Sequence, residues 1–316
     1  MAIRAPAPPV GRVGLGVPGL PFALTMRRRT VLSLSASAAL YGCATGGEAP
    51  GERIVDVATG RLVSRVEVLD LLSASAFVLM GELHDNALHH ERRAALLRDI
   101  GRPIPVVVEH LPSGTAPALG TNARGDALLQ ALQGAGFDAR GWGWPIHEPV
   151  FAAIATSGHS LHGGNLPREL ARRVALDGPA ALPDELRRAI EAAPLTAAAM
   201  AALEQDLIDG HCGRLPADRL PRMVWAQRGR DAAMAAALRN ARAGLAQGVA
   251  VLLAGNGHVR RDYGVSRILA QAQPTARVLS IGFLENDADL PPEAFDLAWI
   301  TRGPQRSDPC TALSLL

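Results

Sequence analysis

Nine histidines in a chain with two tyrosines and six phenylalanines are the feature that could do chemistry. Several fall where a short apolar run stops. Glu82 and His84 follow Ala76–Met80, Glu109 and His110 follow Pro105–Val108, His162 ends His159–His162, and His258 follows Val249–Ala254. Imidazole and carboxylate together suit transition-metal ligation, a general acid/base pair, or both. The glycines of Gly81-Glu82-Leu83-His84 and Gly255-Asn256-Gly257-His258 let the backbone turn sharply and approach a ligand closely. Any one of these histidines taken alone is as well explained as a hydrogen-bonded structural residue. Four deliveries to the same kind of position favour a shared site: Glu82, His84, Glu109 and His258 as acid/base groups, with His84, Glu109 and His258 as metal donors. Several chemistries are excluded. Phe151 stands where a His-Glu-x-x-His starting at His147 needs its second histidine, and no Gly-x-Ser-x-Gly or Cys-x-x-Cys occurs. All 32 basic residues are arginine, so no Schiff-base or P-loop lysine exists. His89 and His90 are adjacent, about 100° apart on a helix, so one should face the crevice and the other solvent.

The elements that would position these groups are short apolar runs alternating with helical patterns. That pattern predicts an α/β fold, a mostly parallel central sheet flanked by helices. In such a sheet the carboxyl ends of the strands share one edge, where ligand crevices form. Val278–Phe283 and Ala298–Thr301 read as late strands, His89–Ile100 as a helix, and Arg53–Ser64 as an early hairpin turning at Gly60. Residues 177–241 carry no strand signal and several prolines, and are expected to form a smaller helical subdomain. The α/β core is then 52–176 with 242–303, and 304–316 is a C-terminal tail.

The first 42 residues hold five arginines and no acid. Without them 27 basic side chains face 30 acidic ones, a net charge of −3 where the whole chain has +2, which removes any argument for nucleic acid. Arg27-Arg28-Arg29, the apolar run Val31–Ala39 and Leu40-Tyr41-Gly42-Cys43 read as an export signal, twin-arginine or general secretory, ending in a lipobox with Cys43 lipidated. Residues 43–51 would be a linker. The expected location is the periplasmic side of a membrane, the outer one, with membrane contact through the lipid alone. Cys212 and Cys310 remain, either as a disulfide or as two thiols.

Gly81-Glu82-Leu83-His84-Asp85-Asn86, the strand ending in Glu109-His110, Asn165–Leu170, Trp225-Ala226-Gln227 with Arg230, Asp231 and Met234, and Gly255-Asn256-Gly257-His258-Val259 together resemble ChaN-type haem-binding lipoproteins. That family belongs to a superfamily shared with Tiki proteases and erythromycin esterases, and the resemblance spans residues 52–285. It implies an α/β core with a smaller helical part, a lipid anchor, and haem or iron acquisition, with a homodimer shielding stacked porphyrins. It also implies a tyrosine ligand to haem iron. Tyr263 is the one tyrosine outside the leader, and a phenolate suits ferric iron. Its alternative is a helix residue packed on the sheet. Around it, His258 would contribute to the haem site, Arg260 or Arg261 would meet a propionate or hold the phenol ionised, and Trp144 with Trp142 would stack on the porphyrin. Arg230 and Asp231 lie on one helical stripe, Arg230 pairing with Glu82 or with an internal acid. Hydrolytic relatives imply the alternative, a hydrolase using Glu82, His84, Glu109 and His258 with a divalent metal or none.

Overall fold

We describe residues 51–245, 248–286, 291–307 and 309–312 of a computed structural model. The leader and Cys43 lie outside the described residues. In chain order the elements are β1 (Arg53–Asp56), α1 (Arg65–Ser73), β2 (Phe77–Met80), α2 (Ala87–Asp99), β3 (Pro105–Pro112), α3 (Gly125–Gly134), α4 (Glu148–Thr156), β4 (Ser160–Asn165), α5 (Arg168–Asp177), α6 (Asp184–Ala192), α7 (Ala197–Gly210), α8 (Leu220–Ala243), β5 (Ala250–Leu253), α9 (Asn256–Val259), α10 (Val265–Ala272), β6 (Val278–Glu285), β7 (Leu297–Thr301) and α11 (Pro309–Ala312).

The seven strands order as β1-β7-β6-β2-β5-β3-β4. Every pairing is parallel except β1 with β7. The inner strands β2 and β5 are apolar throughout, because both faces are covered. Val78, Met80, Val106, Val108, Val251 and Leu253 point to the layer of α1–α4. Phe77, Leu79, Val107, Ala250 and Leu252 point to the layer of α5, α6, α8 and α10. The alternation is the period of two that a strand imposes.

The helical stretch 177–241 is not set apart from the sheet. Ala232–Ala235 and Leu238 of α8 share one core cluster with β2, β3 and β5, so α8 is a layer of the α/β unit, and the described residues form one compact body. The early hairpin is reduced to a single bridge, Val55 to Leu62, since β1 takes its ladder from β7. β3 runs past Val108 to Pro112, with its register against β4 shifting between those residues. His162 pairs beside Val107 in the middle of β4 and bonds Ser160; it is therefore a mid-strand residue and not a group at the carboxyl edge.

Candidate functional site

Glu82 lies two residues past the end of β2 and is 1% exposed. Its carboxylate is ringed by side chains from three other stretches. His84 Nδ1 donates to Oε1 at 2.6 Å. His110 Nε2 from β3 and His147 Nε2 from the loop before α4 each lie 3.5 Å from that same oxygen. Oε2 meets Arg93 of α2 and lies 3.2 Å from His90 Nδ1. His90 is oriented from both sides: its Nε2 donates to the His84 carbonyl at 3.0 Å, and its Nδ1 accepts from Arg93 at 2.8 Å. Burial holds His90 down to about 4, and pushes His110 and His147 below the usual histidine range. These three rings are neutral at pH 7. Burial lowers Arg93 to about 9, the Glu109 charge opposing it. The side chain of His84 is 50% exposed, so it is the one imidazole of the cluster open to an external ligand. Its ring stands edge-on to Trp142, centroids 5.0 Å apart.

The second group adjoins the first at Gly255. An added Cβ there would sit 3.1 Å from His84 Cε1 and 3.6 Å from Glu109 Oε2, so a larger residue would press on the His84 ring. Gly255 N donates to Glu109 Oε2 at 2.8 Å. His258 of α9 gives Nδ1–H to Asp231 of α8 at 2.6 Å and turns Nε2 to Glu109 Oε1 at 3.3 Å. Burial alone would depress the His258 pKa, but the Glu109 and Asp231 charges outweigh it and raise it to about 10. Burial would raise Glu109, yet the His258 charge and hydrogen bond hold it well below the carboxylate range. Asp231 is raised, because burial outweighs the same partner.

Glu82, His84, Glu109 and His258 thus come together at one edge, as their strand-end spacing implies. They do so as two subsites. His258 is an imidazolium with both nitrogens engaged, so it carries no lone pair for a metal or for haem. The donor companions of His84 are Glu82 and His147 in place of Glu109 and His258. The guanidinium partner of Glu82 is Arg93, not Arg230, which lines the cavity above. His89 and His90 are both buried: His89 Nδ1 accepts from Leu83 N at 3.0 Å and Nε2 lies 3.1 Å from Thr301 Oγ1, so neither faces solvent.

The residues proposed around Tyr263 do not form an open face. Tyr263 is buried and its hydroxyl donates to Asp206 of α7. Burial, reinforced by Asp206, raises the phenol, which stays protonated. Arg260 lies over the tyrosine ring and pairs with Asp262 at 2.6 Å. Arg261 pairs with Asp296 at 3.2 Å. Trp144 packs edge-on against Phe137, centroids 5.9 Å apart. The opening instead is a cavity of about 370 Å³ beside Glu109 and His110, lined also by Trp142, Arg168 and Arg230.

Sequence reasoning missed Arg93 and His147 as members and left open which of His89 and His90 faces the crevice; it is His90 that meets Glu82 and Arg93. His90 and Arg93 face inward from α2 at a spacing of three, which places them on one helix face; that register was the available signal. His147 has none, being a loop residue before α4.

A search of curated protein sequences returns no match. Among solved structures, ChaN of Campylobacter jejuni, with cofacially bound haem, is similar at a TM-score of 0.62 and 19% identity, covering 80% of this chain and 97% of that one. The type III effector HopBA1 is similar at a TM-score of 0.38 and 14% identity, covering 75% of this chain and 93% of that one. The first likeness shows the fold. The model of the haem-binding uptake family of the Tiki superfamily, ChaN, matches residues 68–269, and the chain belongs to that family.

Proposed function

We propose that this protein binds haem on the open rim beside Glu109, with His84 as the donor to iron. The observation that carries the reading is a half-exposed imidazole edge-on to Trp142, which itself lines the cavity that also holds Arg168 and Arg230, in a chain of this family. The residues fit the group: an indole offers apolar area to a porphyrin, arginines suit propionates, and the imidazole suits iron. Tyr263, buried against Asp206, is not arranged for that role. Titration of ferric haem into the protein should give a saturable Soret change that His84→Ala alters and Tyr263→Phe leaves intact. No saturable change in the unaltered protein defeats the proposal, and the reverse pattern of the two variants returns the ligand to Tyr263.

The same reading makes the protein an exported lipoprotein, anchored through Cys43 on the periplasmic side of the outer membrane, that carries haem as a homodimer for uptake or transfer. A disulfide between Cys212 and Cys310 supports an oxidising compartment. Fatty-acid labelling should be lost in Cys43→Ser, and sedimentation should report the dimer with haem bound. A second reading, hydrolysis, is favoured by the buried ring of imidazoles about Glu82, which haem capture does not require. Ester and peptide substrates, assayed with His84→Ala and His258→Ala, separate the two: a working acid/base pair loses about 10²–10⁴-fold in rate when either member goes.

A further inference from the structure

Two stretches of chain that are remote in sequence bring Glu82 and His84 to one point with His147. Each residue offers one donor atom, and the three atoms lie within 4.8 Å of one another. Zinc-class cations bind nitrogen and oxygen at about 2.0–2.2 Å, so tetrahedral donors stand roughly 3.3–3.5 Å apart. From Glu82 Oε1 the measured separations are 2.6 Å to His84 Nδ1 and 3.5 Å to His147 Nε2, which bracket that edge.

A second observation points the same way. His147 is 1% exposed, and neither of its ring nitrogens has a hydrogen-bond partner among the described residues. A buried polar group left in that state costs about 1–3 kcal/mol, so a site that keeps one aimed at a carboxylate has use for its lone pair. Without a cation the His84 Nδ1 proton bridges to Glu82 Oε1; a cation would take that proton's place between the two atoms, leaving the neutral imidazole's proton on Nε2. The other carboxylate oxygen is fixed by Arg93, itself bonded to His90, which leaves Oε1 as a single oriented donor. One carboxylate oxygen with imidazoles selects a borderline transition metal over calcium or magnesium, which take oxygen sets.

We propose that Glu82, His84 and His147 bind one divalent transition-metal cation of the zinc class, leaving one position of a tetrahedral ion toward the half-exposed side of His84. Three protein ligands and an open position are the arrangement in which a metal activates water or polarises a carbonyl. The site does not rest on the haem reading, although both use His84, and it gives the hydrolytic reading its cation.

The experiment uses the full chain after chelation, titrated with Co²⁺ and followed through the visible ligand-field bands. One equivalent should bind with tetrahedral bands that Zn²⁺ abolishes by displacement. His147→Ala should weaken binding by at least roughly 100-fold, no less than the loss of an outer-shell partner. His211→Ala, an exposed histidine bonded to the Leu207 carbonyl, should bind as the unaltered protein does. His147→Gln serves if the alanine variant does not fold. Haem titration of the His147 variants should remain saturable, so loss of the metal and loss of haem are read separately. Absence of stoichiometric cobalt in the unaltered protein, or equal affinity in the His147 variants, overturns the proposal.

Discussion

Glu82 and Arg93 are both wholly buried, and a pair of that kind contributes little net stability while each partner depends on the other. Arg93→Ala leaves a carboxylate in the core with neutral imidazoles as its neighbours, and should cost about 3–5 kcal/mol in urea denaturation. Adding Glu82→Gln should recover much of that loss; a double variant as unstable as the sum of the singles would deny the coupling. His258 carries a pH signature. Its pKa rises from 6.5 to about 10 in the folded protein, so its contribution is complete below 6.5 and is lost as pH climbs through 10. Unfolding free energy should therefore fall between those values, and His258→Gln should remove that part of the slope. Among these residues, the ones legible in sequence lie in or shortly after the carboxyl-terminal part of a strand, where chain direction decides their edge. Tyr263 was not legible in that way, because it follows the short α9 and its orientation depends on α7, whose Asp206 takes the hydroxyl.

The elements were easier to read than the contacts between them. Strands buried on both faces must be apolar runs, and β2, β3, β5, β6 and β7 fall within a few residues of the runs visible in sequence. The Ser64-x-x-Glu67 capping box of α1 is likewise printed in the chain, with both reciprocal bonds formed. Sheet order is another matter. The placement of β5 between β2 and β3 joins the Glu82 and Glu109 groups at Gly255, and that comes from long-range pairing that no local pattern encodes. Asn86 is the hinge between levels. Its Oδ1 accepts from Leu88 N at 2.9 Å to cap α2, and its Nδ2 donates to Glu285 Oε1 of β6 at 2.7 Å. Asn86→Ala should cost about 1–2 kcal/mol and lower Tm by roughly 2–8 °C. Asn86→Asp keeps the cap acceptor but sets a second carboxylate against Glu285, so it should not restore the stability fully. Equal stability of all three proteins would show that the cap carries no weight.

At the scale of the whole molecule, the disulfide Cys212–Cys310 spans 98 residues, from the turn after α7 to α11 beyond the last strand. Between that staple and β7, Arg306 reaches back to the loop that carries His84, meeting Asp85 at 2.6 Å and Glu285 at 2.7 Å. The tail is thereby tied at one point to the helical layer and at another to the site edge. Closing a loop of that length restricts the unfolded chain by about 4–5 kcal/mol in the chain-entropy account, whereas the exposed arginine pairs are each worth about 1 kcal/mol or less. The staple should therefore dominate. Cys212→Ser with Cys310→Ser, or reduction by dithiothreitol, should lower the urea midpoint far more than Arg306→Ala does. Arg306→Ala should act instead on the loop, as faster amide exchange over residues 83–86 with little change in global stability. If removing the disulfide leaves the midpoint unmoved, the constraint on the unfolded chain is not what the bond contributes, and the tail is held by its contacts alone.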